Sequence, residues 1–279
     1  MSDILFSLFH CTARPWDWQN ACLRFRAAAD NPEQCEYVLG IHRRQQELLG
    51  SQSYPFHLYY QSCAMQLQDA WPRHWAISVN LGRPCVVDNA NTAAAHTSGK
   101  IMVSVADGLR PCPHWDTELL KAIDDPNKPY LIKTSHGDYL PDSWIVTHGI
   151  ITRALYEKWG YVAWPEYIHY GCDDDTTLMA ERDGYILDAT HLNFPYHHWS
   201  NGKREVDSIT KHTAESGAWK VRERVLDRRK EDHFRGRVQY GWWMDVRGEA
   251  WQTQQVQRDD DGGTAPHELP EPPVPFTGI

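Results

Sequence analysis

Between Val86 and Trp115 the chain reads VVDNANTAAAHTSGKIMVSVADGLRPCPHW, and this stretch restricts its folds more than any other. An Asn- and Ala-rich helix leads through Gly99 into the apolar strand Ile101 to Val105. Asp107 then arrives at the strand's carboxyl end. In open α/β sheets ligands bind at that edge, although an Asp-Gly pair is also a common turn signal.

The same alternation runs along the chain. Ile4 to Phe9 is a short apolar run that ends at His10 to Pro15, so it predicts a first buried strand entering a loop. Trp18, Ala21, Cys22, Phe25 and Ala28 recur at helical spacing until Asn31 and Pro32 stop them. Glu36 to Ile41 is a second strand with His42 and Arg43 at its carboxyl end. Tyr59 to Ala70 has helical character, Trp75 to Val79, Cys85 to Val87 and Tyr130 to Lys133 read as strands, and Trp115 to Ile123 reads as a helix. Further helices are predicted over Ile151 to Trp159, from GCDDDTTL to Gly184, and over Ala218 to Lys230, with a strand at Ile186 to Ala189. Strands and helices in alternation predict an α/β fold around a mainly parallel sheet. The expected layout is one domain over residues 1–215, a helical extension over 216–257 and an acidic, Pro-rich disordered tail over 258–279.

Composition narrows the function. The formal net charge is -9, and the tail, with one Arg against five carboxylates, carries -4 of it. A mildly acidic body does not suggest wholesale binding to a phosphate backbone, though a local basic face can still provide it. The segment Trp219 to Arg237 is the one candidate for such a face. Seven Cys without CxxC spacing argue against a disulfide framework and a cysteine zinc site. With no leader and no run that spans a bilayer, the expectation is a soluble cytoplasmic protein. Thirteen Trp and thirteen Tyr suit stacking on sugars or bases as well as core filling.

Several residues are candidates for chemistry. Asp107 can hold a divalent metal that neutralises a diphosphate, and one of the adjacent pair His197 and His198 can complete that site. Arg14 and His42, each after a predicted strand, can contact base, ribose or diphosphate. Asp173, Asp174 and Asp175 begin a helix, where carboxylates serve as caps, yet three in a row exceed what capping needs. One of them can act as general base.

The order of ARP after the first strand, NANTAAAHTSGKIMVSVADG, PCPHWD, GCDDDTTL and PYHHW resembles the GT-A fold glycosyltransferases, close to the inverting family-2 type. The resemblance covers roughly Ile4 to Trp199. It implies a single Rossmann-like GT-A domain with a nucleotide-sugar half over 1–110 and an acceptor half over 111–215. By resemblance, Asp107 stands for the metal carboxylate of an Asp-x-Asp motif and His198 or His197 for the downstream metal ligand. Asp174 and Asp175 stand where the family has its Glu-Asp pair with the catalytic base, and Thr12, Arg14, Asn91 and Gly99 fall where it lines the nucleotide pocket. Ala106 and Gly108 flank Asp107 where the family usually has a second carboxylate.

The expected reaction is an inverting, hexosyltransferase-type transfer from a nucleotide diphosphate sugar, with a UDP-sugar as the donor. In it Mn2+ or Mg2+ and Arg14 hold the leaving group while Asp175 deprotonates the acceptor. The acceptor is a soluble glycan, a protein or modified DNA, as in the phage-type enzymes that glycosylate hydroxymethylated pyrimidines. A catalytically inactive nucleotide-sugar-binding module and a metal phosphohydrolase are the rival readings.

Overall fold

The computed structural model describes residues 4–12, 14, 17–43, 56–141, 143–206, 211, 217–234, 237–244 and 250–257. The first strands are β1 (Phe6–Cys11), β2 (Cys35–His42), β3 (Trp75–Asn80) and β4 (Ile101–Val105). They are followed by β5 (Leu131–Ser135), β6 (Ile150–Thr152) and β7 (Ile186–Asn193). These seven form one sheet in the order β3-β2-β1-β4-β6-β5-β7. All neighbours are parallel except β6, which runs antiparallel to both β4 and β5.

The period-two alternation of the strands divides the core between two faces. Phe6 and Leu8 of β1, Tyr37 and Leu39 of β2, and Ile101 and Val103 of β4 join one cluster. There they meet α1 (Trp18–Ala27), α2 (Phe56–Ala70) and α4 (Trp115–Ala122) through Trp18, Phe25, Leu67 and Trp115. Phe9, Val38 and Met102 point the other way, onto α3 (Val86–Ala95), α5 (Arg153–Trp159), α6 (Cys172–Asp183) and α7 (Ala218–Glu231). Trp18 and Phe25 are fully buried, and each such side chain contributes roughly 2–3 kcal/mol of transfer free energy. A Cβ on Gly40 would lie 2.9 Å from the Ala93 Cβ. Glycine in β2 and alanine in α3 are therefore what let that helix lie close on the sheet.

Three sequence expectations change. Cys85 to Val87 is not a strand: Val86 opens α3, and the Cys85 side chain accepts from the Asp88 amide as its cap. Ile150–Thr152, predicted as the approach to and first turn of a helix, forms β6 because its three apolar and β-branched residues fill the gap between β4 and β5. Among the described residues of 216–257 only α7 is helical, and β8 (Arg237–Met244) and β9 (Ala250–Gln257) pair as antiparallel strands. Aromatic and β-branched residues in RVQYGWWM favour strand over helix. The tail, 258–279, lies outside the described residues.

The chain order fixes where a ligand can enter. After β1, β2 and β3 build outward in one direction, the chain crosses back through α3 to place β4 on the other side of β1. The carboxyl ends of β1 and β4 therefore flank a topological switch point, the crevice in which open α/β sheets bind ligands.

Candidate active site

Asp107 stands at that switch point with its side chain 6% exposed. His10 Nε2 lies 3.0 Å from its Oδ1, the Thr12 hydroxyl donates to the same oxygen at 2.9 Å, and Arg14 Nη1 donates to Oδ2 at 3.3 Å. The Tyr37 hydroxyl sits 2.6 Å from His10 Nδ1. Burial pushes the Tyr37 phenol well above its ordinary value, so it stays protonated and its hydroxyl shares a hydrogen bond with His10 Nδ1. Burial by itself would raise the Asp107 carboxyl, but the His10 hydrogen bond and charge, then Arg14 and Thr12, bring it below the usual carboxylate range.

Beside Asp107 opens a cleft of about 250 Å³ lined by Asp17, Asn20, Arg24, Gly108, Arg110, His197, Lys203 and Arg204 as well as Asp107 itself. Arg24 Nη2 donates to the Asp107 carbonyl at 2.9 Å, and the loop after β7 closes the other side. The His197 amide donates to the Gly108 carbonyl at 3.0 Å, and a Cβ at Gly108 would collide with the His197 carbonyl at 2.3 Å. Only glycine after Asp107 admits the loop this closely.

An aromatic wall continues from the cleft toward α6. Tyr196, against Gly108, meets His148 at 4.3 Å, Tyr139 at 4.9 Å and His198 at 5.3 Å between ring centroids. Burial, with His136, His198 and His10 nearby, pushes the His148 imidazole down to about 3, so this wall is neutral. Asp173, at the amino end of α6, acts electrostatically on Tyr139. Burial and the neighbouring charge of Asp174 raise the Asp173 carboxyl to about 6. A carboxylate tuned to that range suits proton abstraction near neutral pH. Past it, His169, Tyr170 and Trp219 form a stack, with Tyr170 and Trp219 4.2 Å apart and Trp219 51% exposed.

No family model matches the chain, and no curated protein does. Among solved structures it is similar to S. aureus TarS 1–349 in complex with UDP-GlcNAc, with TM-score 0.54 and 14% identity, over 74% of this chain and 60% of that one. It is also similar to the mannosyltransferase PcManGT from Pyrobaculum calidifontis in complex with GDP-Man and Mn2+, with TM-score 0.50 and 14% identity, over 81% and 75% of the two chains. The fold is of the GT-A type. The chain spans about three-fifths of the length of the TarS fragment it matches.

Within this GT-A fold the predicted site residues part company. Thr12, Arg14 and Asp107 converge, and the backbone of His197 and the ring of His198 border them. His42 is at the same sheet edge, but it is buried with Nε2 3.0 Å from the Gly82 carbonyl. Asn91 does not line a nucleotide pocket: its amide binds the backbone of Val162 and Ala163 and fixes that turn on α3. Gly99 is at the opposite end of the sheet, where its amide donates to the Ser7 hydroxyl at 2.7 Å and a Cβ would strike the Phe6 and Ser7 backbone. Its role is the tight entry into β4.

The expected base is also corrected. Asp175 is fully buried and takes a bidentate bond from Arg229, with Nε at 2.9 Å and Nη2 at 3.3 Å, plus the Tyr167 hydroxyl at 3.2 Å. No acceptor hydroxyl can reach it. Asp174 is bound by Arg222 at 2.7 Å. Of the three, Asp173 is the one whose charge acts on Tyr139 of the aromatic wall.

Among the described residues no three His, Cys, Asp or Glu side chains are grouped to hold an ion. The His198 Nδ1 is 2.7 Å from the Ser200 hydroxyl, and burial followed by Arg14 and Arg204 pushes its ring down to about 4. Sequence reasoning missed His10, Arg24, Arg110, Lys203 and Arg204. The parity of β1 would have found His10, since it follows Phe6 and Leu8 on one face at the strand's end.

Proposed function

We propose that the protein is an inverting glycosyltransferase that moves a sugar from a nucleotide diphosphate sugar, a UDP-sugar first among candidates, to an acceptor hydroxyl. One observation carries the reading: a cation-lined cleft at the β1/β4 switch point opens onto a wall that ends at a carboxylate raised to about 6. The GT-A fold and the nucleotide sugars in the two neighbour complexes support it.

In this reading the donor's diphosphate lies in the cleft beside Asp107, and its sugar extends along Tyr196 and Tyr139. Asp173 takes the proton of the acceptor hydroxyl as that oxygen attacks the sugar carbon. The nucleotide diphosphate leaves from the opposite face, with its charge met by fixed cations. The exposed Trp219 face, stacked on Tyr170, is a platform for the acceptor, and a glycan with an apolar sugar face fits it. DNA fits less well, because Arg222, Arg228 and Arg229 of α7 are paired with Asp174, Glu166 and Asp175 rather than offered to phosphates.

Calorimetry with UDP-GlcNAc, other UDP-sugars and GDP-Man tests the donor. Binding of one nucleotide sugar by the wild type and equally by Asp173→Asn, with transfer lost only in the variant, is the expected result. No binding of any nucleotide sugar would remove the reading, whereas retained transfer by the variant would move the base elsewhere. Transfer is also expected to rise with pH through about 6 and then level, because Asp173 must be ionised to accept a proton.

A further inference from the structure

The charges around Asp107 have the wrong sense for a divalent cation and the right one for a polyanion. Both Asp107 oxygens are already bonded, by His10, Thr12 and Arg14. Each of the two imidazoles offered as alternative second ligands to a metal lies among cations. After burial, Arg14 and Arg204 act on His198, while Arg110, Lys203 and Arg24 act on His197. A metal ion there would be repelled by the side chains that surround it.

We propose, resting on the glycosyltransferase reading, that this cleft binds the donor diphosphate directly on arginine and lysine side chains, with no metal ion bridging protein and phosphates. Arg24 and Arg110 are the core of the site. Neither forms an ion pair with a carboxylate among the described residues. The charge of Arg110 follows burial as a cause of the lowered Arg24 pKa, so the two guanidiniums repel each other. Arg24 Nε is buried without an acceptor. Two like charges held together, one with an unmet donor, are stabilised by an anion between them. Lys203 and Arg204 line the same cleft and pair with Asp138 and Asp17, contacts that a diphosphate can replace. A planar guanidinium also matches phosphate oxygens in two-point contacts.

The test is calorimetry on the full chain after EDTA treatment, using inorganic pyrophosphate, UDP and uridine, with UDP repeated in manganese. Arg110→Glu is the main variant, because Arg110 is exposed and its reversal leaves the core alone. Lys203→Ala, also exposed, is the second. Metal-free protein is expected to bind UDP, with manganese changing the affinity less than about twofold. Arg110→Glu should weaken UDP by about tenfold or more, the loss of one charge-assisted contact, and Lys203→Ala should weaken it less. Uridine, which lacks phosphates, should be unaffected by either. UDP binding that requires manganese, or that neither variant weakens, overturns the proposal and leaves the glycosyltransferase reading standing. Pyrophosphate binding that Arg110→Glu abolishes, in a protein that binds no nucleotide or nucleotide sugar, keeps the anion cleft and removes the glycosyltransferase reading. Failure of the metal-free protein to bind either pyrophosphate or UDP overturns the cleft.

Discussion

Asp107 and Asp175 are both nearly removed from solvent, with side chains 6% and 0% exposed, and both face an arginine, yet their surroundings differ in kind. Asp107 is held at the ends of strands by His10, Thr12 and one guanidinium, and a cleft opens beside it. Asp175 is clamped between α6 and α7 by Arg229, whose guanidinium also lies 3.8 Å from the centre of the Trp164 ring. The first arrangement leaves room for a ligand and the second leaves none. Depth of burial thus says little about a carboxylate's role; the space next to it says more.

The comparison breaks most visibly at Arg229. Arg229→Met leaves Asp175 as a buried charge without its partner, which costs about 3–5 kcal/mol and lowers Tm by roughly 10 °C. UDP affinity measured well below that Tm should stay at the wild-type level, because the cleft lies on the other side of the wall. If UDP binding instead collapsed while the protein remained folded, the two regions would not be independent.

A second break separates Asp173 from its neighbours. Asp173→Asn should lower kcat by at least about a hundredfold, the usual contribution of a general base, while donor affinity is kept. Its effect on stability has the opposite sign from that of Arg229→Met. The folded carboxyl titrates at about 6 against an ordinary 3.8, so the folded state favours the proton, and stability is lost as pH rises between those values. The variant escapes that loss, and its Tm at pH 7 should exceed that of the wild type in a calorimetric scan.

The smallest effect sharpens the Asp107 side. Thr12→Val removes one hydrogen bond to the carboxylate and keeps the shape, so UDP should bind more weakly by about 1 kcal/mol, roughly fivefold, with Tm nearly unchanged. A titration that distinguishes a fivefold change in Kd is sufficient.

Much of the sheet was legible because its strands are apolar runs bounded by Gly, Pro and Asn. The carboxyl-end position of Asp107, with Thr12 and Arg14 across from it, followed from that. What was not legible depends on contacts between distant segments. Asn91 and Gly99 sit in the right stretch of sequence, but one turns toward Val162 and the other lies at the far edge of the sheet. Asp175 and Asp173 are two residues apart on one helix, so they point in different directions. No local signal says which faces Arg229 until α7 is in place. The cations of the cleft come from α1, the turn after β4 and the loop after β7, three segments that only the folded chain brings together.

Gly171, at φ +91°, is where that dependence becomes physical, because a Cβ there would lie 2.5 Å from Arg222 of α7 and 3.0 Å from Tyr167. The segment from Gly171 to Asp175 is thus shaped to receive a helix made more than forty residues later. As the chain leaves the ribosome, the strands β1 to β4 and the anion cleft's first wall can form early. The amino end of α6, which the proposed base Asp173 shares with Asp174 and Asp175, is seated only after Arg222 and Arg229 have emerged, so in the proposed reading a nascent or clipped chain would acquire affinity for a donor before it acquired the power to use it.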